Sequence, residues 1–460
     1  MTAGLIRSTS PARPDHVVLE RSRSTGDDVT RVVALARAAA REWAALPAVS
    51  RATSLAAAGE ALSAERSRIA HLITSEVGKP AVEARAEVDR AVGLLLYYAQ
   101  QVLDPDGQTY PSPDGRSLLY SRTRPHGVAG LITPWNFPVA IPTWKLAPAL
   151  AYGNGVVLKP SSEAPACAAQ LVSILGPHLP PGLLGAVYGG ADVATRLIEE
   201  ADVLSFTGSE MVGRSVGAAA FKRLVPFQGE LGGHNASIVL PDANVIRSAQ
   251  MVAGAAMAFA GQKCTATSRV IVVGRNDGFV DALISAVANL PVGDPDDDSV
   301  IVGPVINQLS KSEIMDAISR AEHDGGEVVA APTPDATGLY VAPTIVLNLQ
   351  ADHHLNQEEV FGPVISVLAA SSPDEAVELE RCTRFGLVTS VFTRDLDRAL
   401  SLSRSLESGQ VRVNAPTTGV DFFAPFGGHR ASGVGPKEQG KAAREFFTWT
   451  QTTTVAPHSR

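Results

Sequence analysis

At 460 residues, 45% hydrophobic and 19% charged, the chain is long and apolar enough for two or three buried cores and does not read as disordered. A formal net charge of −8 without a compensating basic stripe excludes nucleic acid as the expected main partner, and no run approaches the roughly 20 apolar residues of a membrane span. The cysteines Cys167, Cys264 and Cys382 fit neither a disulfide framework nor a zinc site, so a reducing cytoplasm and no bound metal are expected. Arg7, Arg13, Arg21 and Arg23 have no apolar run behind them, so no secretory signal is expected.

Residues 1–27, punctuated by Pro11, Pro14 and Gly26, read as a loosely held lead-in. Apolar residues at helical spacing (Val32, Val33, Leu35, Ala36, Ala39, Trp43) predict a helix over 28–46, with Asp27 or Asp28 as its N-cap. A second helix is predicted over 51–76, stopped by Gly78-Lys79-Pro80, and a third over 81–102 with Val88, Leu94 and Tyr98 buried. Strands are predicted at 117–122, 127–133 and 155–159, the last short and apolar as in a parallel sheet. Helices at 164–175, 193–199 and 211–221 then alternate with strands at 185–189, 203–206 and 225–230, the pattern of a doubly wound α/β domain. An Ala-, Met- and Gly-rich helix over 248–260 leads to Cys264. Beyond it come strands at 270–274, 327–331, 340–347 and 387–393 and helices at 278–288, 310–324 and 373–381, a second α/β domain. The Thr-rich strand at 450–455 has no obvious local partner.

Chemistry concentrates in Glu230-Leu231-Gly232-Gly233-His234-Asn235 and Gly261-Gln262-Lys263-Cys264-Thr265. A thiolate is a strong nucleophile and a carboxylate can take a proton from water, a pairing suited to covalent catalysis followed by hydrolysis. Taken alone, Cys264 reads more readily as a small buried hydrophobe and Glu230 as a surface charge. No GxGxxG occurs. Phe206-Thr207-Gly208-Ser209-Glu210-Met211-Val212-Gly213 follows a short strand and opens a helix, so it reads either as a phosphate site or as a cap without a ligand.

Seven motifs stand in one order: Thr133-Pro134-Trp135-Asn136-Phe137-Pro138, Lys159-Pro160-Ser161, Phe206-Thr207-Gly208-Ser209, Glu230-Leu231-Gly232-Gly233, Gly261-Gln262-Lys263-Cys264, Glu359-Val360-Phe361-Gly362-Pro363 and Pro425-Phe426-Gly427-Gly428. Together they resemble the aldehyde dehydrogenase superfamily over essentially the whole chain, including the spacing from Glu230 to Cys264. The resemblance implies an α/β fold with a Rossmann-like cofactor domain (1–107 and 125–230), an α/β catalytic domain (231–446) and a small β bridging domain (108–124 and 447–460). That last sheet would pair across subunits in a homodimer or homotetramer.

By the same resemblance Cys264 is the nucleophile and Glu230 the general base. Asn136 and the Cys264 backbone N–H would form the oxyanion donors, and Lys145 is a structural or proton-relay lysine, or else a helix-surface one. Trp135, Lys159, Ser162, Gly208, Ser209, Glu359 and Phe361 fall to the cofactor. Phe137 and Trp144 wall an aldehyde tunnel or belong to the core. Cys167 and Cys382 match no motif and read as buried packing residues. Retention of Glu230 favours hydrolysis over transfer to coenzyme A.

The loops 414–421 and 435–440 look most like the branch acting on α-ketoglutaric semialdehyde, whose carboxylate Arg122, Arg124 or Arg430 would meet; aromatic and aliphatic aldehydes stay open. In NAD-preferring relatives a glutamate follows Lys-Pro-x. Here that position is Ser162, with Glu163 one residue on, so NADP is expected to be accepted and preferred, with NAD the alternative. The rival functions are a catalytically silent relative with a binding role and a cysteine-dependent esterase.

Overall fold

The computed structural model describes residues 4–275, 278–333 and 337–458, so residues 1–3 of the expected lead-in and the last two of the terminal segment lie outside the described residues. The chain opens with two strands, β1 (Leu5–Thr9) and β2 (Val17–Ser22), paired antiparallel. The lead-in is therefore not loose. Ile6 and Ser8 are buried, and the Ser8 hydroxyl donates to Glu76 Oε1 at 2.8 Å.

Helix Gly26–Ala45 is capped by Thr25, not by Asp27 or Asp28. The Thr25 side chain accepts from Asp28 N and the Asp28 carboxylate accepts from Thr25 N, a reciprocal capping box. The helix expected over 51–76 is two, Ala48–Ala64 and Arg66–Val77, with Glu65 (φ −95°, ψ 9°) between them. The apolar spacing from Leu62 to Ile69 runs through this break, so periodicity does not reveal it. Helix Ala81–Gln101 follows as expected.

Further strands are β3 (Thr109–Tyr110), β4 (Leu118–Pro125), β5 (Val128–Ile132), β6 (Gly155–Lys159), β7 (Leu184–Ala186), β8 (Val203–Thr207) and β9 (Phe227–Glu230). After these come β10 (Asn235–Val239), β11 (Thr267–Val273), β12 (Glu327–Ala330), β13 (Thr344–Leu347), β14 (Val364–Ala370), β15 (Val388–Phe392), β16 (Gln410–Val413), β17 (Gly433–Val434) and β18 (Thr448–Val455). One sheet runs β17-β9-β8-β5-β6-β7 and another β12-β13-β14-β11-β10-β15-β16. Strands β10, β14 and β16 were not anticipated. β10 and β14 are largely buried, without the clean alternation that marks a half-exposed strand.

In the first sheet the chain builds β5, β6 and β7 outward in one direction, then returns to place β8 and β9 on the other side of β5. The β5/β8 junction is thus a topological switch point, where open α/β sheets present a ligand crevice beyond their strand ends. β9 ends at Glu230 and β10 begins at Asn235, so the link between them joins the two large sheets.

The terminal strand does have a partner. β18 pairs antiparallel with β4 from Thr448↔Pro125 to Val455↔Leu118, and β3 completes a three-stranded sheet. No helix among the described residues is long and apolar enough to cross a membrane. Cys167 is buried as expected, but Cys382 is exposed, because it caps the C-terminal end of helix Pro373–Arg381 at the surface.

Candidate active site

The Cys264 loop begins where helix Val245–Met257 stops. Phe259 (φ 56°), Ala260 (φ 53°) and Gly261 (φ 67°) take left-handed backbone in succession, so the helix expected to reach residue 260 ends early in a sharp turn. Left-handed conformation costs roughly 1–2 kcal/mol for each non-glycine residue, so surrounding contacts must hold the turn. Gln262 provides several of them. Its amide nitrogen donates to the carbonyls of Phe259 (3.2 Å) and Pro304 (3.1 Å), and its oxygen accepts from Ile306 N (2.8 Å). Asn235 fixes the thiol's own residue: its amide donates to the Cys264 and Ala266 carbonyls, both at 2.8 Å, and its oxygen accepts from Val388 N at 3.1 Å.

Three loops meet there. Gly233 N donates to Glu359 Oε1 at 3.0 Å. A Cβ on Gly233 would collide with the Cys264 carbonyl, and one on Gly261 with the Gly362 carbonyl, so glycine permits this approach. Phe361, itself left-handed (φ 53°), stands edge-on to Trp135 with ring centroids 5.8 Å apart, and Trp135 packs likewise on Phe259.

Asn136 is buried and donates its amide to the Gln262 carbonyl at 3.0 Å, which leaves the second amide hydrogen available, while its oxygen has no partner. Glu230 is buried at the end of β9 and accepts from Gly428 N at 3.2 Å. Burial pushes its carboxyl well above the usual range, the nearby Glu438 adds to the rise, and Lys437 opposes it. Burial likewise raises the partly buried Cys264 thiol, followed by the charges of Glu359, Glu230 and Glu438. Burial lifts Glu359 to about 7.

Lys145 is not a surface lysine. It lies in helix Ala140–Ala151, is 1% exposed, ion-pairs with Glu438 and donates to Ser205 Oγ at 2.8 Å. Phe137 and Trp144 both line a cavity of about 160 Å³ onto which Cys264 opens. Of the arginines expected to meet a substrate carboxylate, none lines that cavity. Arg122 and Arg124 lie on β4, and Arg430 bonds to the Arg381 carbonyl at 3.2 Å. The cationic residue on the cavity wall beside Lys263 is Arg90.

At the switch point the buried hydroxyls of Thr133 and Thr207, at the ends of β5 and β8, have no hydrogen-bond partner. Gly208 and Ser209 follow immediately, and Ser209 begins helix Glu210–Lys222 without making a side-chain cap. Unpaired donors beside a helix N-terminus fit the phosphates and ribose of a dinucleotide. Lys159, at the end of β6, donates only to the Pro160 carbonyl at 3.1 Å. Burial and then the neighbouring Arg23 lower it to about 8. Ser162 is exposed, and Glu163 accepts from Asn307 at 3.2 Å.

Sequence reading alone missed Asn235, Gln262, Arg23, Arg90 and Glu438 as members of the site. Asn235, Gln262 and Glu438 lie within quoted motif runs, but their roles depend on partners remote in sequence.

The geometry agrees with three comparisons. Residues 2–453 match the model of the aldehyde dehydrogenase family. Alpha-ketoglutaric semialdehyde dehydrogenase of Bacillus subtilis is 36% identical over 98% of this chain and 95% of its own, and alpha-ketoglutarate semialdehyde dehydrogenase of Haloferax volcanii is 38% identical over 96% and 94%. Betaine aldehyde dehydrogenase of Staphylococcus aureus, solved in complex with NAD+, superimposes with a TM-score of 0.94 at 29% identity, covering 98% of this chain and 91% of that one. With thiol, carboxylate and cofactor crevice brought together on that fold, the chain belongs to the aldehyde dehydrogenase family and is an oxidoreductase acting on aldehydes.

Proposed function

We propose that the chain oxidises an aldehyde to a carboxylic acid through a thioester on Cys264, with Glu230 activating the hydrolytic water. The observation that carries this is the meeting of Cys264, held by Asn235, with a buried carboxylate and a small cavity. The sulfur attacks the aldehyde carbon. The resulting oxyanion is met by the free amide hydrogen of Asn136 and the Cys264 N–H. Because burial and three carboxylates raise the thiol, attack requires transfer of its proton, and Glu230 is the acceptor whose own affinity for a proton is raised. Once Glu230 has passed that first proton on, water adds to the thioester with Glu230 taking a proton from it, and the thiolate leaves and is reprotonated as the acid departs. Lys145 and Glu438 stand behind Glu230 as the route by which that proton moves on.

A nicotinamide dinucleotide, when bound, supplies the hydride acceptor that converts the tetrahedral adduct to the thioester. On this reading the sheet containing β5–β9 holds it, in residues 1–107 and 125–230, and the sheet containing β10–β16 brings the thiol, in residues 231–446. Thr133, Thr207, Gly208 and Ser209 would take its phosphates and ribose, Glu359 the nicotinamide ribose, and Phe361 and Trp135 the ring. NADP is the preferred form: Lys159, close in sequence to Ser162, supplies a cation, Arg23 lies near Lys159 though paired with Asp192, and Asn307 holds the acid Glu163. The exposed outer edge of β18, with Trp449 and Val455 exposed, supports pairing of residues 108–124 and 447–460 across subunits in a homodimer or homotetramer.

Cys264→Ala tests the mechanism. It should abolish aldehyde oxidation and ester hydrolysis while cofactor binding, read by fluorescence, survives. Oxidation near the wild-type rate overturns the assignment.

A further inference from the structure

We propose that Arg90 is the carboxylate-recognition group of the aldehyde cavity, so that the preferred substrates are ω-oxo carboxylic acids with an aldehyde at one end and a carboxylate at the other. The proposal rests on the reading of Cys264 as the aldehyde-oxidising nucleophile and adds the substrate class.

Helix Ala81–Gln101 presents Glu83, Ala86, Glu87 and Arg90 to the cavity. Their spacing puts them on one face. Both acids on this stripe are already compensated. Glu83 pairs with Lys263 at 2.7 Å, and Glu87 pairs with buried Lys79 while accepting from Val139 N at 2.9 Å and Ala140 N at 3.0 Å. Arg90 has no carboxylate within ion-pair distance and no hydrogen-bond acceptor among the described residues. The charges that face it more distantly are Glu87, Asp421 and Arg412. Asp421 is exposed, and Arg412 is itself engaged by the Gly419 carbonyl.

A half-buried guanidinium on the cavity wall with no protein acceptor keeps donors free to meet a ligand. Its planar fork suits a carboxylate better than any neutral group. Much of the remaining wall is apolar, with Phe137, Ile141, Trp144, Val420 and Phe426, while Thr265 and Thr418 add hydroxyls and Lys263 is already paired with Glu83. At about 160 Å³ the cavity is small. An engineered cavity of about 150 Å³ holds one benzene. A short chain fixed by sulfur at one end and Arg90 at the other therefore fits, whereas a neutral aldehyde leaves Arg90 unpaired.

The test compares pentanal with 5-oxopentanoate, which share a five-carbon chain, at saturating cofactor. Wild type should favour the oxo acid in kcat/KM by at least about tenfold, and Arg90→Gln should lower kcat/KM for the oxo acid about a hundredfold, mainly through KM, while leaving pentanal within about threefold. Arg90→Lys should restore part of the loss. Independently of turnover, calorimetric titration with glutarate should show binding to wild type and not to Arg90→Gln. Equal losses on both substrates, an unchanged substrate ratio, or glutarate binding unaffected by the substitution overturns the proposal. Wild type that oxidises neither compound but binds glutarate through Arg90 sinks the oxidation reading and keeps the subsite. Oxidation of both without preference sinks the subsite alone.

Discussion

Lys145 and Glu438 stand 293 residues apart in sequence and form an ion pair whose side chains are 1% and 3% exposed. Glu438 is delivered by the chain segment that returns along β9 through β17, and its second oxygen has no partner. The pair therefore places a fixed charge unit behind Glu230, whose carboxyl is raised first by burial and next by Glu438.

Removing one member leaves the other charge buried and unpaired, so Glu438→Gln or Lys145→Met should each cost about 3–5 kcal/mol of stability. The double variant should recover much of that loss, a coupling read from the midpoints of denaturant unfolding. Strict additivity would show that the two residues act independently.

Glu230→Gln removes the base while keeping the shape. Supplied with aldehyde and cofactor, this variant should accumulate acyl-enzyme on Cys264, visible as a mass increase in the intact protein. Unchanged turnover with no adduct would assign the hydrolytic step to another group.

Glu359 yields a prediction about pH. Its carboxyl is raised from 4.5 to about 7, so between those values the folded chain holds a proton that the unfolded chain has released. Stability contributed by this group is present below the unfolded value and falls as pH rises toward about 7. Glu359→Gln should flatten that part of the Tm profile between pH 4.5 and 7.5. A wild-type-like slope in the variant would trace the effect to another acid.

The cofactor preference is testable without turnover. Ser162→Glu should weaken binding of NADPH relative to NADH by about tenfold or more, since a carboxylate would oppose the 2′-phosphate beside Lys159. Arg23→Ala should weaken NADPH binding in the same direction. If both variants bind the two cofactors as wild type does, the phosphate lies elsewhere.

Short-range pattern was enough to read much of this protein. Resemblance to the family's motifs named Cys264, Glu230, Asn136 and Lys145 as candidates. Hydrophobic periodicity placed helix 81–102 and strand 155–159 nearly to the residue. These features depend on neighbours within a few turns of chain, which a linear sequence records directly. Tertiary structure alone decided the rest. Only the folded chain fixes the register of β18 on β4, draws residues 5–22 into a hairpin against Glu76, and divides the helix at Glu65 where apolar spacing continues unbroken. It also moves the candidate carboxylate-binding group from Arg122, Arg124 or Arg430 to Arg90. The physical reason is the same each time. A side chain's charge, hydrogen bonds and burial are set by partners that chain topology brings close, and for Lys145 and Glu438 that partner lies 293 residues away.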